Sequence, residues 1–149
     1  MRLETSGLGW KRDDEGKIRK VRADGKDSMK IEISPTWKIF ILEDSYERIR
    51  WFRERIPEAT IVSTAEDALA ILSQGSFDFC FLDHDLCFND AAFPDRPGSG
   101  ERVAHYLAQK GFVGSAVIHS VNEIGAMRMK ARLHQAQIAP FGTFEVSLV

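Results

Sequence analysis

From Lys38 onward, apolar residues fall into short runs separated by amphipathic stretches. KIFIL (38–42), ATIV (59–62), DFCFL (78–82) and SAVIH (115–119) are nearly continuous apolar runs, the pattern of strands covered on both faces. Helical spacing lies between them. Ser45 caps YERIRWFRERI (46–56), which carries Ile49, Phe52 and Ile56 on one face before Pro57. Thr64 opens a second helix, with Asp67 three residues on in a loose capping box; Ala68, Leu69, Ile71 and Leu72 form its apolar side and Gly75 ends it. ERVAHYLAQK (101–110) stops at Gly111, and NEIGAMRMKARLHQ (122–135) is the last helical stretch. A weak fifth strand is expected at 137–139, and TFEVSLV (143–149) alternates like a strand. CFNDAAFPDRPGSG (87–100) contains Pro94 and Pro97 and is expected to be irregular.

Strands alternating with helices imply βαβ units in an α/β, doubly wound parallel sheet. Residues 1–35 differ. Lys and Arg are dense there but nearly balanced by Asp and Glu, turn signals fall at Asp14-Glu15-Gly16 and Asp24-Gly25, and Met29, Ile31 and Ile33 alternate with polar residues. A small N-terminal extension is expected, a β-meander or a partly ordered arm, followed by the main domain over 36–149.

Composition narrows the classes. A chain of 149 residues suits one domain with a sizeable core. A formal net charge of −2 gives no global field for strong duplex nucleic-acid binding. Cys80 and Cys87 lack the C-x-x-C spacing of zinc sites and read as free thiols. MRLETSGLGW has no apolar leader, and no run approaches a membrane span. The expectation is a cytoplasmic protein without a membrane partner.

The chemistry collects at the strand tips. Glu43 and Asp44 follow the first strand of the domain, Asp83, His84 and Asp85 the third, and His119, Ser120 and Asn122 lie at and beyond the end of the fourth. Open α/β sheets work at that carboxyl edge. Two like charges about 4 Å apart cost about 4 kcal/mol at an effective dielectric of 20. Protonation, exposure or a divalent cation relieves this: Mg²⁺ or Mn²⁺ for oxygen ligands, with Fe²⁺ or Zn²⁺ added if imidazoles join. Other readings stand beside these. Asp44 and Ser45 can simply cap a helix, and Ser120 with Glu123 makes a capping box. His119 can be a structural histidine. The arginines 48, 50, 53 and 55 read as a solvated helix face beside Glu47 and Glu54.

"FILEDS" and "FLDHDL", with Ser120 after the fourth strand, resemble the receiver domain of two-component response regulators. More closely, "LDHDL" (82–86), "GSGERVAHYL" (98–107), "IHSVNEIGAMRM" (118–129) and Pro140-Phe141 resemble its divergent branch, the cyclic-phosphate processing receiver domain, over about residues 38–142. The resemblance implies a flavodoxin-like five-stranded sheet of order 2-1-3-4-5, here with a reduced fifth helix. It implies a divalent cation, Mg²⁺ or Mn²⁺, held by Glu43, Asp44, Asp83 and Asp85. It implies hydrolysis of a cyclic phosphodiester, a 2′,3′-cyclic phosphate at an RNA end or a cyclic nucleotide. His84, His119 and Asp83 would be catalytic, and Ser120, Asn122 and Arg96 would bind phosphate. The alternative is a non-enzymatic signalling or protein-binding module, with Asp83 as a phosphoacceptor. Ala139 stands where ordinary receivers carry the lysine that contacts the acceptor, which disfavours that form.

Overall fold

The apolar runs become the strands of a parallel sheet. The computed structural model describes the backbone at residues 9–12, 18–21, 29–90 and 93–149, and side chains at 29–86 and 99–149. The turn signals expected near residues 14–16 and 24–25 lie outside the described residues. β1 (Gly9–Arg12), β2 (Ile18–Val21) and β3 (Met29–Ile33) precede the repeating units. Then come β4 (Ile39–Leu42), α1 (Tyr46–Arg55), β5 (Thr60–Val62), α2 (Ala65–Gln74) and β6 (Phe79–Leu82). β7 (Asp85–Asp90) and β8 (Phe93–Ser99) lead into α3 (Gly100–Lys110), β9 (Ser115–Ile118), α4 (Glu123–Arg132), β10 (Gln137–Ile138) and β11 (Phe144–Leu148).

The central sheet runs β5-β4-β6-β9-β10 with every pair parallel. Counted along the repeating units, that is the order 2-1-3-4-5. The period of two along each strand divides the interior into two cores. Phe40, Leu42, Cys80, Leu82, Ala116 and Ile118 face α2, α3 and α4. Ile39, Ile41, Phe79, Phe81 and Val117 face Phe52 and Ile56 of α1.

The second face is completed in an unexpected way. No fifth crossover helix follows β10; the chain turns at 140–143 and becomes β11, which pairs in parallel with β3 over five residues. Met29, Ile31, Ile33, Phe144 and Val146 close the core beside α1. β11 and β3 belong to a second sheet, ordered β11-β3-β1-β2. β3, which precedes the expected boundary at residue 35, is thus paired with β11, which follows it.

The expectation of irregular structure over 87–100 is corrected. β7 and β8 form an antiparallel hairpin, with register shifts after Leu86 and Asn89. A two-stranded ribbon tolerates Pro94 and Pro97 because each strand leaves one edge unpaired. Three smaller expectations match: Ser45 and Thr64 are N-caps, and Gly111 ends α3.

Candidate functional site

Register builds the site. Leu42 lies beside Leu82, and Leu82 beside Ile118. The ladder continues one step further, with Asp83 N–H donating to the Leu42 carbonyl and His119 N–H to the Leu82 carbonyl. Glu43, Asp83 and His119 are thus successive neighbours across three strands, and adjacent strands stand about 4.8 Å apart. Leu42, Leu82 and Ile118 face the α2–α4 core. The residues that follow them turn toward α1.

All three side chains are buried. One ligand atom from each comes within 4.8 Å of the others. His119 Nε2 lies 2.7 Å from Glu43 Oε1, and Glu43 Oε2 accepts from the Asp44 and Ser45 N–H groups. Phe52 and Phe141 stand edge-on to the imidazole, 5.3 and 6.4 Å between centroids. His119 Nδ1 is buried without a hydrogen-bond partner among the described residues.

The two acids respond differently to this dry setting. Burial pushes the Glu43 carboxyl up, but the His119 bond and charge, the Ser45 N–H and Arg48 outweigh it and leave it below the ordinary value. Burial also dominates at Asp83; Glu43 adds to it, and His119, the His84 N–H and Arg48 oppose it. The Asp83 carboxyl ends up pushed up to about 6.

The intervening positions face the other way. His84 sits against α4, where a Cβ on Gly125 would come within 2.5 Å of its ring. Its Nδ1 is 2.7 Å from Asp85 Oδ1, and its Nε2 is 3.4 Å from the Ser99 hydroxyl. The Asn122 amide donates to both Asp85 oxygens, at 3.1 and 3.3 Å, while its carbonyl accepts from Gly125 N–H. Asn122, not Ser120, is therefore the N-cap of α4; the Ser120 hydroxyl accepts from Asn122 N–H one step earlier. Burial pushes the Asp85 carboxyl up, but the His84 and Asn122 hydrogen bonds and the His84 charge outweigh it and hold it below its ordinary value. Gly100 has its own reason to be glycine: a Cβ there would lie 1.8 Å from the Asp83 carbonyl oxygen.

The nine expected site residues thus separate. Glu43, Asp83 and His119 converge, while His84, Asp85 and Asn122 form a second hydrogen-bonded group. Ser120 is buried beside His119 in the chain. Asp44 is half-buried and outside the three-residue group, because consecutive strand-end residues point to opposite faces. Arg96 lies on β8, and its side chain is outside the described ones. Sequence reasoning treated the tips as one cluster, although the period of two already contained the division. It also missed Arg48, whose charge reaches both buried acids.

The donor set fits a divalent cation. Ligand atoms about 2.1 Å from one ion lie at most about 4.2 Å apart, close to the spacing present. Two buried carboxylates and one imidazole, whose Nδ1 has no hydrogen-bond partner among the described residues, make a mixed oxygen–nitrogen set that can hold a metal.

Residues 38–135 match the family described as the cyclic-phosphate processing Receiver domain. The chain belongs to that family. Its receiver-type architecture also appears in the crystal structure of NtrX from Brucella abortus, with a TM-score of 0.54 at 16% identity. That likeness covers 76% of this chain and 25% of the NtrX chain, and it speaks for the fold alone. Among curated proteins, none matches. For this member of the cyclic-phosphate processing receiver family, no helix among the described residues is long and apolar enough to cross a membrane.

Proposed function

We propose that this receiver domain is a divalent-cation-dependent phosphohydrolase that opens a cyclic phosphodiester, at an RNA 2′,3′-end or in a cyclic nucleotide. The observation carrying this reading is the buried convergence of Glu43, Asp83 and His119 at the working edge of the sheet. A bound Mg²⁺ or Mn²⁺ would supply charge neutralisation and Lewis-acid polarisation of the phosphate. Glu43 and Asp83 would hold it, leaving His119 beside them for proton transfer.

Ring opening adds water to phosphorus and releases one sugar oxygen, which needs one proton removed and one delivered. With Nδ1–H directed at Asp85, His84 carries its lone pair on Nε2, 3.4 Å from the Ser99 hydroxyl, and fits the base once water replaces that contact. His119 fits the acid, because Glu43 stands 2.7 Å from it as a counter-charge. Ser120 would bind the phosphate, and Arg96 on the hairpin would be a further contact. Asn122 has both ends of its amide engaged, so it orients Asp85. The reading places the protein in the cytoplasm, where the buried Cys80 stays a thiol.

The test is turnover of 2′,3′- and 3′,5′-cyclic nucleotides with Mg²⁺ or Mn²⁺, then with EDTA, by wild type and Asp83→Asn. Cation-dependent ring opening that disappears in the variant is expected. Equal turnover by the variant would remove the role given to Asp83. A second reading, a receiver-derived binding module, is favoured by the exposed apolar side chains of Val121, Ile124 and Met127 beside the site. It predicts a folded protein without turnover whose partner binding is lost on Ile124→Glu.

A further inference from the structure

α1 carries four arginines, and one of them, Arg48, acts electrostatically on both buried acids. Arg50 lies 3.4 Å from Glu54 with both side chains largely in solvent. Arg55 bonds Glu145 at 3.2 Å and covers the Trp51 ring. Arg53 is exposed. Arg48 is half-buried, and its guanidinium carbon lies 4.8 Å from the centre of the Phe141 ring. Phe141 is itself fixed to the site, because its N–H donates to the His119 carbonyl at 2.8 Å.

We propose that Arg48 binds the substrate phosphate, as the cation that α1 sets against Phe141 beside the buried Glu43–Asp83–His119 group. The inference rests on the phosphohydrolase reading and adds a residue to it. The guanidinium carbon at 4.8 Å from the Phe141 centroid makes a cation–π contact, which spends none of the N–H donors. An arginine N–H fork can meet phosphate oxygens two at a time. No hydrogen bond or ion pair among the described residues occupies that fork. The same charge already lowers the Glu43 and Asp83 carboxyls, so it is within electrostatic reach of the pocket.

Helix stability does not account for this arginine. Arg48 is in the first turn of α1, where the helix dipole favours an acid and disfavours a cation. Its neighbour Glu47 meets that preference. An anion approaching two buried carboxylates, however, needs positive charge on the wall it passes. Arg48 supplies it from a ring-held position, with less conformational freedom to lose than a solvated arginine.

The experiment is calorimetric titration of the full chain with Mn²⁺, and then with inorganic phosphate in the presence of Mn²⁺. It compares wild type, Arg48→Met, Arg48→Lys and, as control, Arg50→Met. Methionine keeps an apolar stem against Phe141, and lysine keeps the charge but not the fork. Phosphate affinity is expected to fall about 30-fold or more in Arg48→Met, the scale for losing a charge-assisted contact. A smaller loss is expected in Arg48→Lys, and none in Arg50→Met. Mn²⁺ affinity should hold or tighten, because a like charge has been removed.

Unchanged phosphate affinity in Arg48→Met, an equal loss in Arg50→Met, a parallel loss of Mn²⁺ binding, or no phosphate binding by wild type would each overturn the inference. Turnover decides the parent reading separately. Phosphate held through Arg48 without turnover would remove the hydrolase and keep the binding residue. Turnover with the same KM in wild type and Arg48→Met would do the reverse.

Discussion

Asp83 and Asp85 are two residues apart and live under opposite rules. Asp83 turns toward α1 into a pocket with Glu43 and His119, where burial raises its carboxyl to about 6. Asp85 belongs to the group against α4, is largely exposed, and has its carboxyl lowered by His84 and Asn122. The first group is buried, contains an imidazole nitrogen without a partner among the described residues, and concentrates charge without fully compensating it. The second is a completed chain of hydrogen bonds. Strain in one and satisfaction in the other suit different tasks: the dry group to hold a cation, the bonded one to hold a histidine in one tautomer.

The largest expected effect breaks the dry group. His119→Ala leaves the buried Glu43 without its partner, which costs about 3–5 kcal/mol of stability by analogy with broken buried pairs. Turnover should fall by about 10²-fold or more, the usual scale for an acid–base group. Thermal melting and steady-state rates check the two halves. A variant as stable and active as wild type would show that the buried pair is ornamental.

The bonded group is tested next. Gly125→Ala would normally favour a helix by up to about 1 kcal/mol, but here the new methyl meets the His84 ring. Turnover is expected to fall about 10²-fold, matching His84→Ala, while Mn²⁺ binding measured by calorimetry is unchanged. Loss of Mn²⁺ binding in Gly125→Ala would mean that the two groups are not separable.

Asp83→Asn sharpens the contrast through pH. The Asp83 carboxyl titrates near 3.8 when free and at about 6 in the fold, so the native state binds the proton more tightly. The associated destabilisation is absent below pH 3.8, grows through that window and is complete above pH 6. Removing the charge should therefore stabilise the cation-free protein at pH 7 by about 2–3 kcal/mol, while turnover disappears. Denaturant melts at pH 4 and pH 7 read this directly; an Asp83→Asn variant less stable at both pH values would reject the assignment. Asp85 has the opposite sign. Its contribution is present above pH 3.8 and is lost as pH falls through its lowered folded value.

The smallest effect belongs to Asn122→Ala. Losing the α4 cap should cost about 1 kcal/mol, and His84 should lose its fixed orientation together with Asp85. A pH–rate profile altered by far more than the stability would mark Asn122 as a positioning residue. A stability change alone would leave it a helix cap.

Much of this was legible in the chain. The apolar runs at 38–42, 78–82 and 115–119 specify strands, because a sheet covered on both faces has no room for polar alternation. Those runs also end where the acids and His119 begin, so the candidate residues could be found before any coordinates. Ser45, Thr64 and Gly111 marked helix ends through local hydrogen bonding and backbone preference, which nearby residues decide. Tertiary structure alone decided the rest. A resemblance supplied the strand order, but only the register of β4, β6 and β9 put Glu43 beside His119, 76 positions away. Only the fold laid β11 on β3 to complete the core beside α1, and turned Arg48 over Phe141 while Arg50 and Arg53 met solvent and Arg55 covered Trp51. Local preference is written in neighbouring residues; partners distant in sequence are chosen by the burial that the whole sheet makes possible.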